Sequence, residues 1–233
     1  MSETATHSTS LARGLDEFGA TRARTLAMAR GLTQKELDFV PAANRWSIGE
    51  VLDHMVLAEG INRDQISQLV ELKKAGRTPR LNLSFSDLNI SVAYLPRSVL
   101  PILELPLTLM NMLVPDSLRN YLTRNRLVPF QNPDAAAPRR GRTASALISD
   151  LTDSLEQTRA LFQRNAHLDF AEMVLTHPLL GSYDVPGLIR FMSAHEQRHQ
   201  SQVADVLKTL RSQNQRGRRC DGLGDTDENI LRA

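Results

Sequence analysis

Apolar residues at Leu11, Leu15, Phe18, Leu26 and Ala29 keep helical spacing, in steps of three or four positions or twice four. That spacing paints one stripe on a helix and predicts helix one, ending near Gly31. After a short polar stretch, Ser47 stands three residues before Glu50 at the head of a second stripe of Val51, Leu52, Met55, Ala58, Ile66 and Leu69. A serine followed at that distance by glutamate is a capping box, so helix two is expected to start here and run to about Ala75, where Gly76 and Pro79 stop it. A third stripe, Leu147, Leu151, Leu155 and Phe162, predicts helix three to about Ala166, followed by a loop with His177-Pro178 and Gly181. Asp184 before Val185-Pro186 is a helix start, and Leu188, Phe191, Met192, Val203, Val206 and Leu210 carry helix four.

Between helices two and three, Pro79, Pro96, Pro101, Pro106, Pro115, Pro129, Pro133 and Pro138 break the chain into short pieces. Residues from about 77 to 142 therefore read as an insertion containing short helices. Past Leu210 the sequence turns to Gln, Arg, Gly and Asp, which predicts a disordered tail over 211–233, and residues 1–10 are expected to be disordered as well. Four long amphipathic helices joined by one long link make an all-α, antiparallel four-helix bundle the economical architecture, with any site in its interior.

Charge and composition narrow the function. Lys and Arg number 28 against 26 Asp and Glu, a net charge of +2 with few aromatics, so nucleic acid is not an expected partner. The single cysteine, Cys220, excludes an internal disulfide and a cysteine-rich metal site, and suits the cytoplasm. Residues Met1 to Ser10 lack the layout of a signal peptide, so export is not expected. The most apolar stretch, Ile90 to Pro115, is too short in its uncharged part for the roughly 20 residues of a membrane span. It has three readings: a wall over an interior pocket, a homodimer contact, or an extra piece of core.

The candidate chemistry lies in the histidines. His195 and His199 are one helical turn apart and interrupt the apolar stripe of helix four between Met192 and Val203. Two inward-facing imidazoles need polar partners or a shared metal. His54 lies in line with Val51 and Ala58 on helix two and also faces inward, either as a satisfied core histidine or as a third ligand. The string His195-Glu196-Gln197-Arg198-His199 matches H-E-x-x-H, in which Glu196 would be the general base of a zinc protease. Three features argue against that reading. Gln202 replaces the glycine of the extended motif, no helical glutamate follows as a third ligand, and no convincing strand precedes helix four to offer a substrate edge. Glu196, about 100° around the helix from His195, is expected to point away from a shared ion.

The segment Trp46-Ser47-Ile48-Gly49-Glu50-Val51-Leu52-Asp53-His54, with the late pair His195 and His199 followed by Gln202, resembles the DinB/YfiT-like superfamily. The stretch His177-Pro178-Leu179-Leu180-Gly181 is similar to a loop of many members, and the resemblance covers about residues 11–210. It implies a four-helix bundle with His54, His195 and His199 as ligands of one divalent metal: zinc, nickel or iron. It implies less about the reaction. Members include transferases and isomerases that use low-molecular-weight bacterial thiols, and proteins described as metal-dependent hydrolases. The expected activity is thus a thiol-dependent transfer on a small-molecule substrate. The alternatives are hydrolysis of small substrates and a non-enzymatic metal-binding or dimerisation module. Three neutral imidazoles leave a coordination position open, for water or for a thiol. Glu50, one turn before His54, and Gln202, nearly one turn after His199, are candidates for orienting an imidazole. Trp46 is expected to be a core anchor.

Overall fold

The structure, a computed structural model, describes residues 2–43, 45–84, 136–177 and 181–221. The chain order is α1 (Ser2–Arg30), α2 (Gln34–Leu37), α3 (Ile48–Lys74), β1 (Arg80–Asn82), α4 (Ala144–Arg164), a 3-10 turn (Phe170–Glu172), β2 (Val174–His177), β3 (Gly181–Asp184) and α5 (Val185–Asp221). The four long helices form the bundle. Helix α1 packs on α5 and α4, and α3 packs on α4 and α5. No helix among the described residues is long and apolar enough to cross a membrane.

Local chemistry sets the helix ends. At the start of α3 the Glu50 N–H donates to Ser47 Oγ (3.2 Å) and the Ser47 N–H donates to Glu50 Oε2 (2.9 Å), the reciprocal pairing of a capping box. Its end is closed by Gly76, whose φ of 68° lies in the left-handed region, with the Arg77 N–H donating to Leu72 O and the Gly76 N–H to Lys73 O. At α5 the Gly187 N–H donates to Asp184 Oδ1 (2.6 Å), so the aspartate caps a first turn that contains Pro186.

Two apolar clusters fill the bundle, one at each end. The first joins Phe18, Ile66, Leu69, Leu155, Phe162, Leu188 and Met192; the second joins Leu26, Val51, Leu52, Leu147, Leu151, Val203 and Val206. The later part of α1 and the early parts of α3 and α4 thus meet the later part of α5. Along each stripe the polar side chains Arg22, His54, Glu59, Thr158, Glu196 and His199 are buried near the boundary of the two clusters, which makes a polar layer across the middle of the bundle. The long link between α3 and α4 is what lets these two neighbours run in the same direction.

Helix α1 spans Ser2–Arg30 and α5 spans Val185–Asp221, and 222–233 lie outside the described residues. Two expectations need correction. The polar stretch after α1 contains a helical turn, α2, capped by Thr33 and Glu36 in a second capping box. The loop before α5 is part of a small sheet of order β1-β2-β3, parallel between β1 and β2 and antiparallel between β2 and β3, in register from Val174↔Asp184 to His177↔Gly181. Strands therefore do precede α5. The apolar segment Ile90 to Pro115, with its three readings, lies outside the described residues.

Candidate metal centre

The capping box at Ser47 fixes the phase of α3, so that His54 points into the bundle with Val51 and Met55. From the opposing helix, His195 and His199 project one turn apart. The three rings converge: centroids are 5.4 Å apart for His54 and His195, 4.9 Å for His54 and His199, and 4.5 Å for His195 and His199. One nitrogen from each lies within 4.8 Å of the others. His54 and His199 are buried and His195 is half-buried. Trp46 packs on the outer side of His54, ring centroid to centroid 4.9 Å, and also touches the second apolar cluster.

Hydrogen bonds orient two of the rings. His54 Nδ1 lies 2.8 Å from the carbonyl oxygen of Ala136, and since a carbonyl only accepts, Nδ1 carries the proton. His54 Nε2 is then a bare lone pair, and it is buried without a hydrogen-bond partner. His199 Nδ1 lies 3.0 Å from Gln202 Oε1, which leaves the His199 Nε2 lone pair facing His195 Nε2 at 3.2 Å. Of the two residues expected to orient an imidazole, Gln202 meets His199. Glu50 does not meet His54: its oxygens accept from Ser47 N–H and from Arg140 Nε at 2.8 Å.

Burial favours the neutral form of His54 and His195. Burial lowers the His54 pKa below its ordinary value, against the opposing pull of the Ala136 carbonyl, and the Arg198 charge lowers it further. Burial, together with His199, His54 and Arg198, holds His195 well below the usual range. Neutral imidazoles with buried, inward lone pairs are the state that binds a metal. The 3.2 Å between the two Nε2 atoms suits two ligands of one ion, since bonds of about 2.1 Å at a tetrahedral angle put donor atoms roughly 3.4 Å apart. The donor set, the orphaned Nε2 and the spacing fit a divalent ion.

Glu196 faces the other way. Its carboxylate accepts from Arg22 Nε (2.9 and 3.1 Å), Arg22 Nη2 (2.8 Å) and Thr25 Oγ1 (2.5 Å) on α1. Arg22 also donates to Glu59 Oε2 (2.8 Å) and to the Leu151 carbonyl, while Thr158 donates to Glu59 Oε1 (2.7 Å). Burial alone would lower the Arg22 pKa, yet Glu196 and Glu59 raise it, so the guanidinium is always charged. All four long helices meet in this network. A small cavity is lined both by His195 and by Arg22, Glu59 and Glu196 of this network. The sheet before α5 thus removes one of the three objections to the protease reading, while the capture of Glu196 by Arg22 and Thr25 adds another.

A second set of contacts escaped the sequence reading. Asp53, fully buried beside His54, accepts from the Arg139 N–H (2.7 Å), Arg139 Nη2 (2.9 Å) and Arg142 Nη1 (2.7 Å). Burial alone would raise the Asp53 pKa, but these bonds hold it below the ordinary value. Arg142 also meets Asp150 of α4 at 2.7 Å. The run Arg139-Arg140-Gly141-Arg142, facing Glu50 and Asp53 three residues apart, was the available signal. The Ala136 carbonyl had none.

The family model described as the DinB superfamily matches residues 17–203, a span that contains all three histidines and most of the four long helices. No curated protein matches the chain significantly, and no solved structure does. The match covers well over half of the chain and coincides with the bundle and its histidine cluster, so the chain belongs to the DinB superfamily.

Proposed function

We propose that His54, His195 and His199 hold one divalent ion, zinc, nickel or iron, and that the protein is a transferase joining a low-molecular-weight thiol to a small electrophilic substrate. The observation that carries the reading is the His54 Nε2 lone pair, buried without a hydrogen-bond partner and aimed at two more imidazoles. A bound ion would supply Lewis acidity at an open position, lowering the pKa of a thiol or a water there. The chain's own part is to hold three neutral imidazoles in place and to keep carboxylates off the ion. Among the described residues, the acidic side chains that line the cavity beside His195, Glu196 and Glu59, are both taken by Arg22, and neither is free to serve as a general base. That favours a thiol, which coordination alone can deprotonate, over water, which needs more help. The single cysteine, Cys220, falls in the polar end of the sequence, so the thiol comes from a cosubstrate.

The assay screens zinc-, nickel- and iron-loaded protein with small bacterial thiols against chlorinated aromatics, epoxides and α,β-unsaturated acids. Ester and amide hydrolysis run alongside. Metal-dependent, thiol-dependent turnover that His195→Ala abolishes together with metal content is the expected result. Hydrolysis without a thiol would replace the proposal by a small-substrate hydrolase. Metal binding without either activity would replace it by a non-enzymatic metal-binding or dimerisation module.

A further inference from the structure

The three imidazoles are oriented unequally. His199 takes its partner, Gln202, from its own helix, one turn away, whereas His54 takes its partner from a backbone carbonyl 82 residues distant in sequence. That carbonyl, on Ala136, has no polar side chain of its own to anchor it. What holds the segment is three residues on: the Arg139 N–H, the Arg139 guanidinium and the Arg142 guanidinium all converge on Asp53. Asp53 is wholly buried while Arg139 is 60% exposed, so the aspartate is the fixed point and the arginines close on it. Gly141, with φ of 70°, then turns the chain to Thr143, the N-cap of α4. The residue that grips the segment is therefore the helical neighbour of the ligand that the segment orients.

We infer that Asp53 is a positioning residue for the metal centre: through Arg139 and Arg142 it holds the Ala136 carbonyl on His54 Nδ1 and thereby keeps the Nε2 lone pair aimed at the ion. The inference rests on the metal-binding reading for its consequence but not for its first test. An imidazole that loses its acceptor at Nδ1 is free to move the proton to Nε2, the nitrogen that must be bare to bind metal. Loss of such outer contacts weakens metal affinity by about 10- to 100-fold in known sites. The lower end is expected here, because Asp53 acts through one further bond.

The first readout is the His54 tautomer in metal-free protein, read by two-bond ¹H–¹⁵N correlation of the ring. Wild type should show the Nδ1–H form alone. Asp53→Asn should show a mixture with Nε2–H, and zinc affinity by chelator competition should fall about tenfold. If Asp53→Asn does not fold, the double variant Arg139→Gln/Arg142→Gln removes both guanidiniums and leaves α3 untouched, with the same expected shift. Arg140→Gln, which removes only the neighbouring Glu50 pair, should leave the tautomer unchanged. A purely structural clamp would lower the melting temperature in the first two variants without moving the tautomer or zinc affinity, and that result overturns the inference. An equal shift in Arg140→Gln overturns the assignment to Asp53. Should wild type bind no zinc while the tautomer still shifts as stated, the positioning role stands and the metal reading falls.

Discussion

The guanidinium of Arg22 on α1 holds the carboxylate of Glu196 on α5 at 2.8 to 3.1 Å, with both side chains almost entirely buried. The glutamate that a short motif would make a general base is thus the structural partner of a buried arginine. Glu196→Gln should leave metal content and any small-molecule activity largely unchanged, while costing about 1 to 3 kcal/mol of stability from the weakened charged hydrogen bonds. A loss of activity of roughly 100-fold with metal retained would restore the general-base reading.

The same network predicts that Arg22 matters more to folding than any histidine. Arg22→Ala would leave Glu59 and Glu196 buried without their cation, which costs about 3 to 5 kcal/mol where a buried pair loses one partner. Chemical denaturation of the metal-free protein checks this. A loss below about 1 kcal/mol would mean that the two carboxylates reach solvent or share a proton instead.

Acid should destabilise the metal-free protein in a defined window. His54, His195 and His177 all have pKa values lowered from 6.5 by burial, His177 to about 4. Below about 6.5 the unfolded chain takes up protons that the folded chain refuses, so the unfolded state binds more protons and stability falls as the pH falls. The melting temperature should decline from pH 7 to pH 5, above the range in which Asp53 and Glu50, held below 3.8 and 4.5, begin to titrate. His177→Gln should flatten part of the slope. A melting temperature independent of pH over this interval would contradict neutral, buried imidazoles.

Removing the residues after Gln213 should shift the melting temperature by no more than about one or two degrees, because side chains past the last apolar anchor bury too little surface to stabilise the bundle. Leu210 is the last buried position described on α5, and 211–215 are exposed. A larger drop in a thermal melt would show that the end of the chain docks on the bundle.

The four helices were legible in the sequence because Leu11, Leu15 and Phe18, or Leu147, Leu151 and Leu155, repeat at helical spacing and because Ser47 and Asp184 cap through local bonds. The histidine cluster was legible for the same reason, as polar residues placed on apolar stripes. Arg22 and Glu59 carry that signal too: Arg22 falls four residues after Phe18 and four before Leu26, and Glu59 four after Met55. Charged residues on apolar stripes thus mark the buried network in the sequence as the histidines mark the cluster. Strands β1 to β3 were not legible, because runs of three or four residues are held by pairing between distant segments rather than by their own periodicity. The contact of His54 with the Ala136 carbonyl belongs to the same class, since a backbone acceptor leaves no trace in residue identity.

The proposed transferase depends on three imidazoles sharing one ion, and metal stoichiometry and coordination in purified, zinc-reconstituted protein decide that point. About one zinc per chain is expected, with ligand nitrogens at about 2.0 to 2.3 Å in a crystal structure or X-ray absorption spectrum, and with the metal lost in each of His54→Ala, His195→Ala and His199→Ala. Zinc retained in His54→Ala at full stoichiometry, or found on other residues, would contradict the shared site.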